Sequence, residues 1–112
     1  MKIVRVYPED LSKADIYKHT LSPSIEKLSE HKDEIIRPTS FVIFEDADKK
    51  DETKINTLLS LKCDDGVVYA TNSETFRNMF LDIFEIMGEL TEIKVVSGTS
   101  KNNREFITAD LV

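Results

Sequence analysis

The stretch "KINTLLSLKCDDGVVYATN" (Lys54–Asn72) decides the fold class. Ile55, Thr57, Leu59, Leu61 and Cys63 alternate with Asn56, Leu58, Ser60 and Lys62, the two-residue period of a strand whose faces differ. Asp65-Gly66 interrupts the run, and Val67, Val68, Tyr69 and Ala70 resume it. Asp-Gly between two β runs is a hairpin signal, because the central turn positions need positive φ. The chain is therefore built around an antiparallel hairpin.

Upstream, "EIIRPTSFVIFEDAD" (residues 34–48) reads as a strand. Its unbroken run Phe41–Phe44 implies cover on both faces, and Pro38 suits a strand start or a bulge. A polar loop, "DADKKDETK" (residues 46–54), joins it to the hairpin. Downstream, "SETFRNMFLDIFEIMGE" (residues 73–89) places Phe76, Met79, Phe80, Ile83, Phe84 and Met87 on one stripe of period 3.6, which predicts a helix. Ser73 is its expected N-cap, Glu74 suits the positive end of the dipole, and Gly88 is the expected left-handed stop. "EIKVVSGTS" and "REFITADLV" read as two last strands, with Gly98 at a kink. At the other end, "MKIVRVYP" reads as a short strand. "DLSKADIYKHTL" (Asp10–Leu21) reads as a short helix with Ser12 as N-cap, ending before Ser22-Pro23. The expectation is one mainly β domain of the α+β class over residues 1–112. Residues 24–112 would form an OB-fold-like, five-stranded antiparallel barrel with the helix between strands 3 and 4. Residues 1–23 would be an N-terminal extension.

With 112 residues, 40% hydrophobic and 32% charged, the chain fits a single globular core. No apolar run approaches the roughly 18 residues of a membrane span. Charge interrupts the N-terminus too early for a secretory core, which predicts a cytoplasmic protein. The single cysteine, Cys63, excludes an internal disulfide and sits where a small core residue is expected. The net charge of -6 argues against a surface that binds nucleic acid everywhere. The charge is uneven, however. Residues 73–92 hold five carboxylates and one cation, whereas residues 93–112 hold three cations and two carboxylates. A local anion site in the C-terminal part is compatible with that split.

Metal and catalytic motifs are incomplete. "DADKKD" has Lys50 and Asp51 where a calcium loop needs an oxygen ligand and then glycine. His19 and His31 lie twelve apart with no cysteine partner nearby, too few ligands for zinc. There is no nucleophile elbow, Cys-His pairing or glycine-rich phosphate loop. The carboxylate pairs fall in polar turns, where no burial would raise a pKa. The expectation is a non-enzyme without cofactor or metal. Aromatics and cations carry more. Phe41 and Phe44 are three apart on one strand, so they point to opposite faces. One of them packs under the N-terminal extension or offers a stacking platform for unpaired bases. Tyr69 has the same two readings. Lys62, Lys94, Lys101 and Arg104 all lie in the β half, the last two straddling "NN" at a hairpin tip. Cations and aromatics on adjacent strands are the ingredients of a single-strand groove.

The hairpin ending "DDGVVYATNSETF", the helix "NMFLDIFEIM" and above all "IKVVSGTSKNNREFITADL" resemble the single-stranded DNA-binding proteins of protein-primed Bacillus phages. The resemblance covers Lys54–Val112 and extends upstream to "EIIRPTSFVIFEDAD" across a gap in the polar loop; residues 1–23 lie outside it. It implies an OB-like fold and the coating of single strands in replication. Tyr69 matches a family tyrosine implicated in base contact, and Phe44 lies where another aromatic is expected. The loop "DKKDETK" lacks the aromatic the family carries there and offers Lys49, Lys50 and Lys54 instead. The functional expectation is a phage or mobile-element single-stranded DNA-binding protein in the bacterial cytoplasm. Phe44 and Tyr69 would stack bases, and Lys62, Lys94, Lys101 and Arg104 would neutralise phosphates. Its partners would be single-stranded DNA and replication proteins, with a monomer or weak homo-oligomer as the working unit. The alternative is an acidic interaction module, such as a phage inhibitor or DNA mimic directed at a host DNA-processing protein. A basic groove beside Tyr69 would favour the first, and a continuous acidic face the second.

Overall fold

The computed structural model describes residues 1–112. Eight strands and two α-helices follow in the order β1 (Lys2–Tyr7), α1 (Lys13–Thr20), β2 (Glu26–Lys27), β3 (Ile35–Ile36), β4 (Pro38–Ala47), β5 (Ile55–Cys63), β6 (Val68–Thr71), α2 (Glu74–Met87), β7 (Ile93–Thr99) and β8 (Glu105–Leu111). A 3-10 turn, Leu28–Glu30, links β2 to the segment before β3. The mainly β, α+β class expected from the alternation is what forms. No helix is long and apolar enough to cross a membrane.

The strands make two sheets rather than one closed five-stranded barrel. One has the order β1-β4-β5-β6-β2, the other β3-β7-β8. The expected long strand over residues 34–48 breaks at Arg37. Ile35 and Ile36 pair with β7, while Pro38–Ala47 pair with β5. Closure would require β8 to pair with the free edge of β6. That edge is occupied instead by β2, which lies parallel to it with Glu26 opposite Tyr69 and Lys27 opposite Ala70. The backbone groups needed for closure already have partners, so the two sheets stay apart along this line.

The hairpin at the centre obeys its signals. Gly66 has φ 85°, and Gly66 N donates to Cys63 O at 2.9 Å. Leu59, Leu61 and Cys63 face the same way as Phe41, Ile43 and Tyr69, their cross-strand neighbours or near neighbours. Onto this face α2 lowers Phe76 and Phe80, both buried. Phe41 is at the centre. It stacks on Tyr7 at 5.6 Å and meets Phe80 and Phe84 edge-on at 5.4 and 5.3 Å. Ile93, Val95, Ile107 and Ala109 complete the core from the second sheet. Ser73 caps α2 by accepting from Phe76 N at 3.1 Å, and Gly88 ends it at φ 72°.

Candidate nucleic-acid interface

The other face of the β4–β5–β6 sheet holds Ser40, Val42 and Phe44 beside Lys62, Ser60 and Leu58. This is the face on which Phe44 and Lys62 were expected to receive DNA. Helix α1 lies on it. Ser12 caps the helix by accepting from Asp15 N at 3.1 Å, and His19 enters the sheet from its last turn. His19 is fully buried, with Nε2 2.8 Å from Ser40 Oγ and Nδ1 3.0 Å from Ser60 Oγ. Burial pushes its pKa down to about 4, and the Lys62 ammonium adds to the effect. Lys62 Nζ donates to Asp15 Oδ1 at 3.0 Å, and this bond, with that from Ser12, holds the Asp15 carboxyl below its usual range. Phe44 is only 4% exposed and pairs across strands with Ile3 and Leu58. Neither Phe44 nor Lys62 is therefore free for a strand: the aromatic is covered and the cation is neutralised. Their covers are residues 1–23, whose fold no alternation in β4 or β5 encodes.

Tyr69 points to the core side and is 6% exposed, with its ring edge-on to His31 at 4.7 Å. His31 in turn bridges Glu34 Oε2 at 2.7 Å and Glu26 Oε1 at 3.0 Å. Burial alone would lower the His31 pKa, and the two carboxylates outweigh it, so the ring's pKa is raised. A pocket of about 260 Å³ opens beside Tyr69, lined by Glu34, Asp64, Asp65 and Glu92 with one cation, Arg37. Arg37 is itself paired with Asp64 and Glu92. Burial, then the Asp65 charge, raises the Tyr69 pKa. The surroundings of Tyr69 are thus acidic, and the ring has no face to offer a base. Cys63 lines the same pocket, buried, its thiol pushed up to about 12 first by desolvation and then by Asp65.

Lys94, Lys101 and Arg104 are exposed. Lys94 stands on the outward face of β7, opposite Asp110. Lys101 and Arg104 belong to the β7–β8 tip, which Ser100 N closes on Arg104 O at 2.9 Å with Asn103 in the left-handed region at φ 58°. Where β8 leaves this tip opens a cleft of about 790 Å³. It runs where β6 and β8 fail to pair. Lys27, Lys32, Leu58, Asn72, Glu105 and Phe106 are among its walls. Lys32 Nζ donates to Glu105 Oε2 at 2.7 Å across it. Phe106 is 38% exposed, the most accessible phenylalanine of the chain. Its ring lies over Gly98, the cross-strand partner, where a Cβ would stand 2.5 Å from Phe106 Cζ. Gly98 is therefore needed for close approach, not for a kink.

Of the six residues expected in the interface, none lines the cleft; Lys101 and Arg104 share the hairpin tip, from which Glu105 and Phe106 enter its wall. Lys94 stands apart on the outward face of the hairpin, and Phe44, Lys62 and Tyr69 are withdrawn. The residues overlooked were Lys27, Lys32, Asn72 and Phe106. For Phe106 a signal existed: folding β7 on β8 about Asn102 sets a glycine opposite a phenylalanine, which leaves the ring lying flat on backbone. Lys27 and Lys32 carried none, because only the parallel pairing of β2 brings them to β8. Chemically, the cleft combines a π face, the free Lys27 ammonium and the exposed Asn72 amide, a donor and an acceptor in one side chain. No protein-family model, curated protein or solved structure matches this chain.

Proposed function

We propose that the chain binds single-stranded DNA, and that the strand enters the cleft between β6 and β8 instead of crossing the outer face of β4 and β5. The observation that carries this reading is an exposed aromatic, Phe106, in an open cleft lined by Lys27 and Lys32, with the exposed Arg104 next in sequence to its wall residue Glu105. Bases stack on aromatic faces without regard to sequence, and cations track the phosphates. The strand pairing supports an OB-like reading of the core: one long strand broken at Arg37 divides its hydrogen bonds between two sheets, and α2 stands between the third and fourth core strands. In that reading the cleft is the side on which the barrel is left open. The role in phage-type replication rests on the resemblance of Lys54–Val112. The test is anisotropy of labelled oligo-dT at low and moderate salt. Binding in the micromolar range is expected, and Phe106→Ala should weaken it by about 1–3 kcal/mol. Tyr69→Phe should leave it unchanged. Absence of binding at tens of micromolar protein in low salt would sink the reading.

One observation favours the acidic-module alternative, namely the four carboxylates around Tyr69. If that pocket were the working surface, charge reversal at Asp64 and Asp65 would abolish partner binding and leave oligo-dT binding intact.

A further inference from the structure

The helices α1 and α2 occupy opposite faces of the same sheet. Ser40 and Ser60 on one face hold His19 of α1, and Phe41 on the other meets Phe80 and Phe84 of α2. Each helix leaves an unpartnered outer surface, and the two surfaces are unlike. On α2, Met79, Ile86 and Met87 are exposed, Ile86 to 84%. Beside them stand Asp82, Glu85 and Glu89, all exposed and none in an ion pair. The last turn of α2 has no basic residue, so carboxylates crowd the end at which the helix dipole favours cations. On α1, Tyr17 and Leu21 are exposed one turn apart. Lys13 and Lys18 flank them, exposed and without an ion-pair partner, while Asp15, the one carboxylate of the helix, is taken by Lys62.

We infer that these are two halves of one contact: the apolar, acidic surface of α2 on one copy docks on the apolar, basic surface of α1 on the next. Each half buries what the other needs buried, and each supplies the charge the other lacks. The contact is heterologous, since it joins two different patches. Because the patches lie on opposite faces of the sheet, a second copy bound through its α1 still presents its own α2 to a third. The arrangement propagates head to tail and does not close as a two-fold dimer. None of the residues named lines the β6–β8 cleft, so the cleft of every copy stays open along such a chain.

The inference is independent of DNA, and its test is made without any. Sedimentation velocity of the full chain over a concentration series at low salt should show mass rising with concentration and falling again on added salt. Two double variants separate the contact from general loss of fold. Glu85→Lys/Glu89→Lys makes both surfaces basic, and Lys13→Glu/Lys18→Glu makes both acidic. All four positions are exposed, so circular dichroism should be unchanged. Each variant alone should stay monomeric, with self-association weakened by about tenfold or more. Their equimolar mixture restores opposite charges at every contact and should assemble again. A wild-type chain monomeric at all concentrations overturns the inference. So does a mixture that stays monomeric when the wild type assembles, because the acidic surface then serves some other basic partner. Oligo-dT binding by the monomeric variants would show that failure here leaves the DNA reading untouched.

Discussion

A neutral imidazole satisfies Ser40 and Ser60 together: one ring nitrogen donates, the other accepts, and each serine hydroxyl supplies the complementary role. Protonation removes the acceptor and places a charge at a fully buried site beside Lys62. The folded pKa of about 4 lies below the ordinary 6.5, so between these values the unfolded chain holds the proton more tightly. The stabilisation is complete above the unfolded value and is lost as pH falls towards the folded one, an effect of roughly 3 kcal/mol at most. His31 has the opposite sign. Its raised pKa contributes below 6.5 and is lost as pH climbs through the folded value. Urea midpoints between pH 7 and pH 4 should fall for the wild-type chain, and His19→Asn should be less stable at pH 7 but much flatter over this window. An unchanged slope in the variant would remove His19 from the account. At Gly98 the expected effect is on geometry rather than stability. Gly98→Ala puts a methyl into the Phe106 ring, which is partly exposed and can swing outward, so melting should shift little while oligo-dT affinity changes.

At the level of the element, α2 is held by its two ends. Ser73→Ala should cost about 1 kcal/mol by orphaning the Phe76 amide. Gly88→Ala should cost about 1 kcal/mol by forcing a side chain into the left-handed region. Thermal unfolding of the double variant should show the two effects adding, since they sit a full helix apart. These ends were readable in the sequence because capping is local chemistry, as was the Asp65-Gly66 hairpin. Strand β2, and the break at Arg37 that makes β3 a separate strand, were not readable. Two residues carry no period, and each exists only because a distant strand, β6 or β7, supplies its hydrogen bonds. The parity of Phe41 and Phe44 correctly assigned them to opposite faces. The unbroken apolar run implied that both faces are covered, as they are, but not by what: the cover on the outer face is α1, whose single buried residue is a histidine. A helix anchored by a polar side chain leaves no apolar stripe to detect. For the same reason Phe44 and Lys62 resembled ligand contacts: β-strand alternation marks a face and is silent on what lies over it.

For the whole molecule, the small number of free cations sets how binding responds to salt. Lys27 lines the cleft and Lys101 and Arg104 stand on the hairpin tip that leads into it, all three without an ion-pair partner, whereas Lys32 is tied to Glu105. Three neutralised phosphates predict a slope of log K against log salt of about -2 for a single strand. Titrations at several salt concentrations would measure it, and a much steeper slope would mean that the strand also reaches the Lys49–Lys54 loop. The buried thiol of Cys63 has a different use. It sits at the closed end of β5, opposite Pro38, with an ionisation near 12. Only the thiolate attacks a disulfide reagent, displacing the reagent's second sulfur as its thiolate, so in the folded chain the reaction must wait until this end separates. The chain has no second cysteine to confuse the signal. Reaction with such a reagent should follow single-exponential kinetics far slower than in urea, and slow further when oligo-dT is bound. Modification of Cys63 thus works as a clock for how often the two sheets part, readable in an absorbance cuvette and without any label.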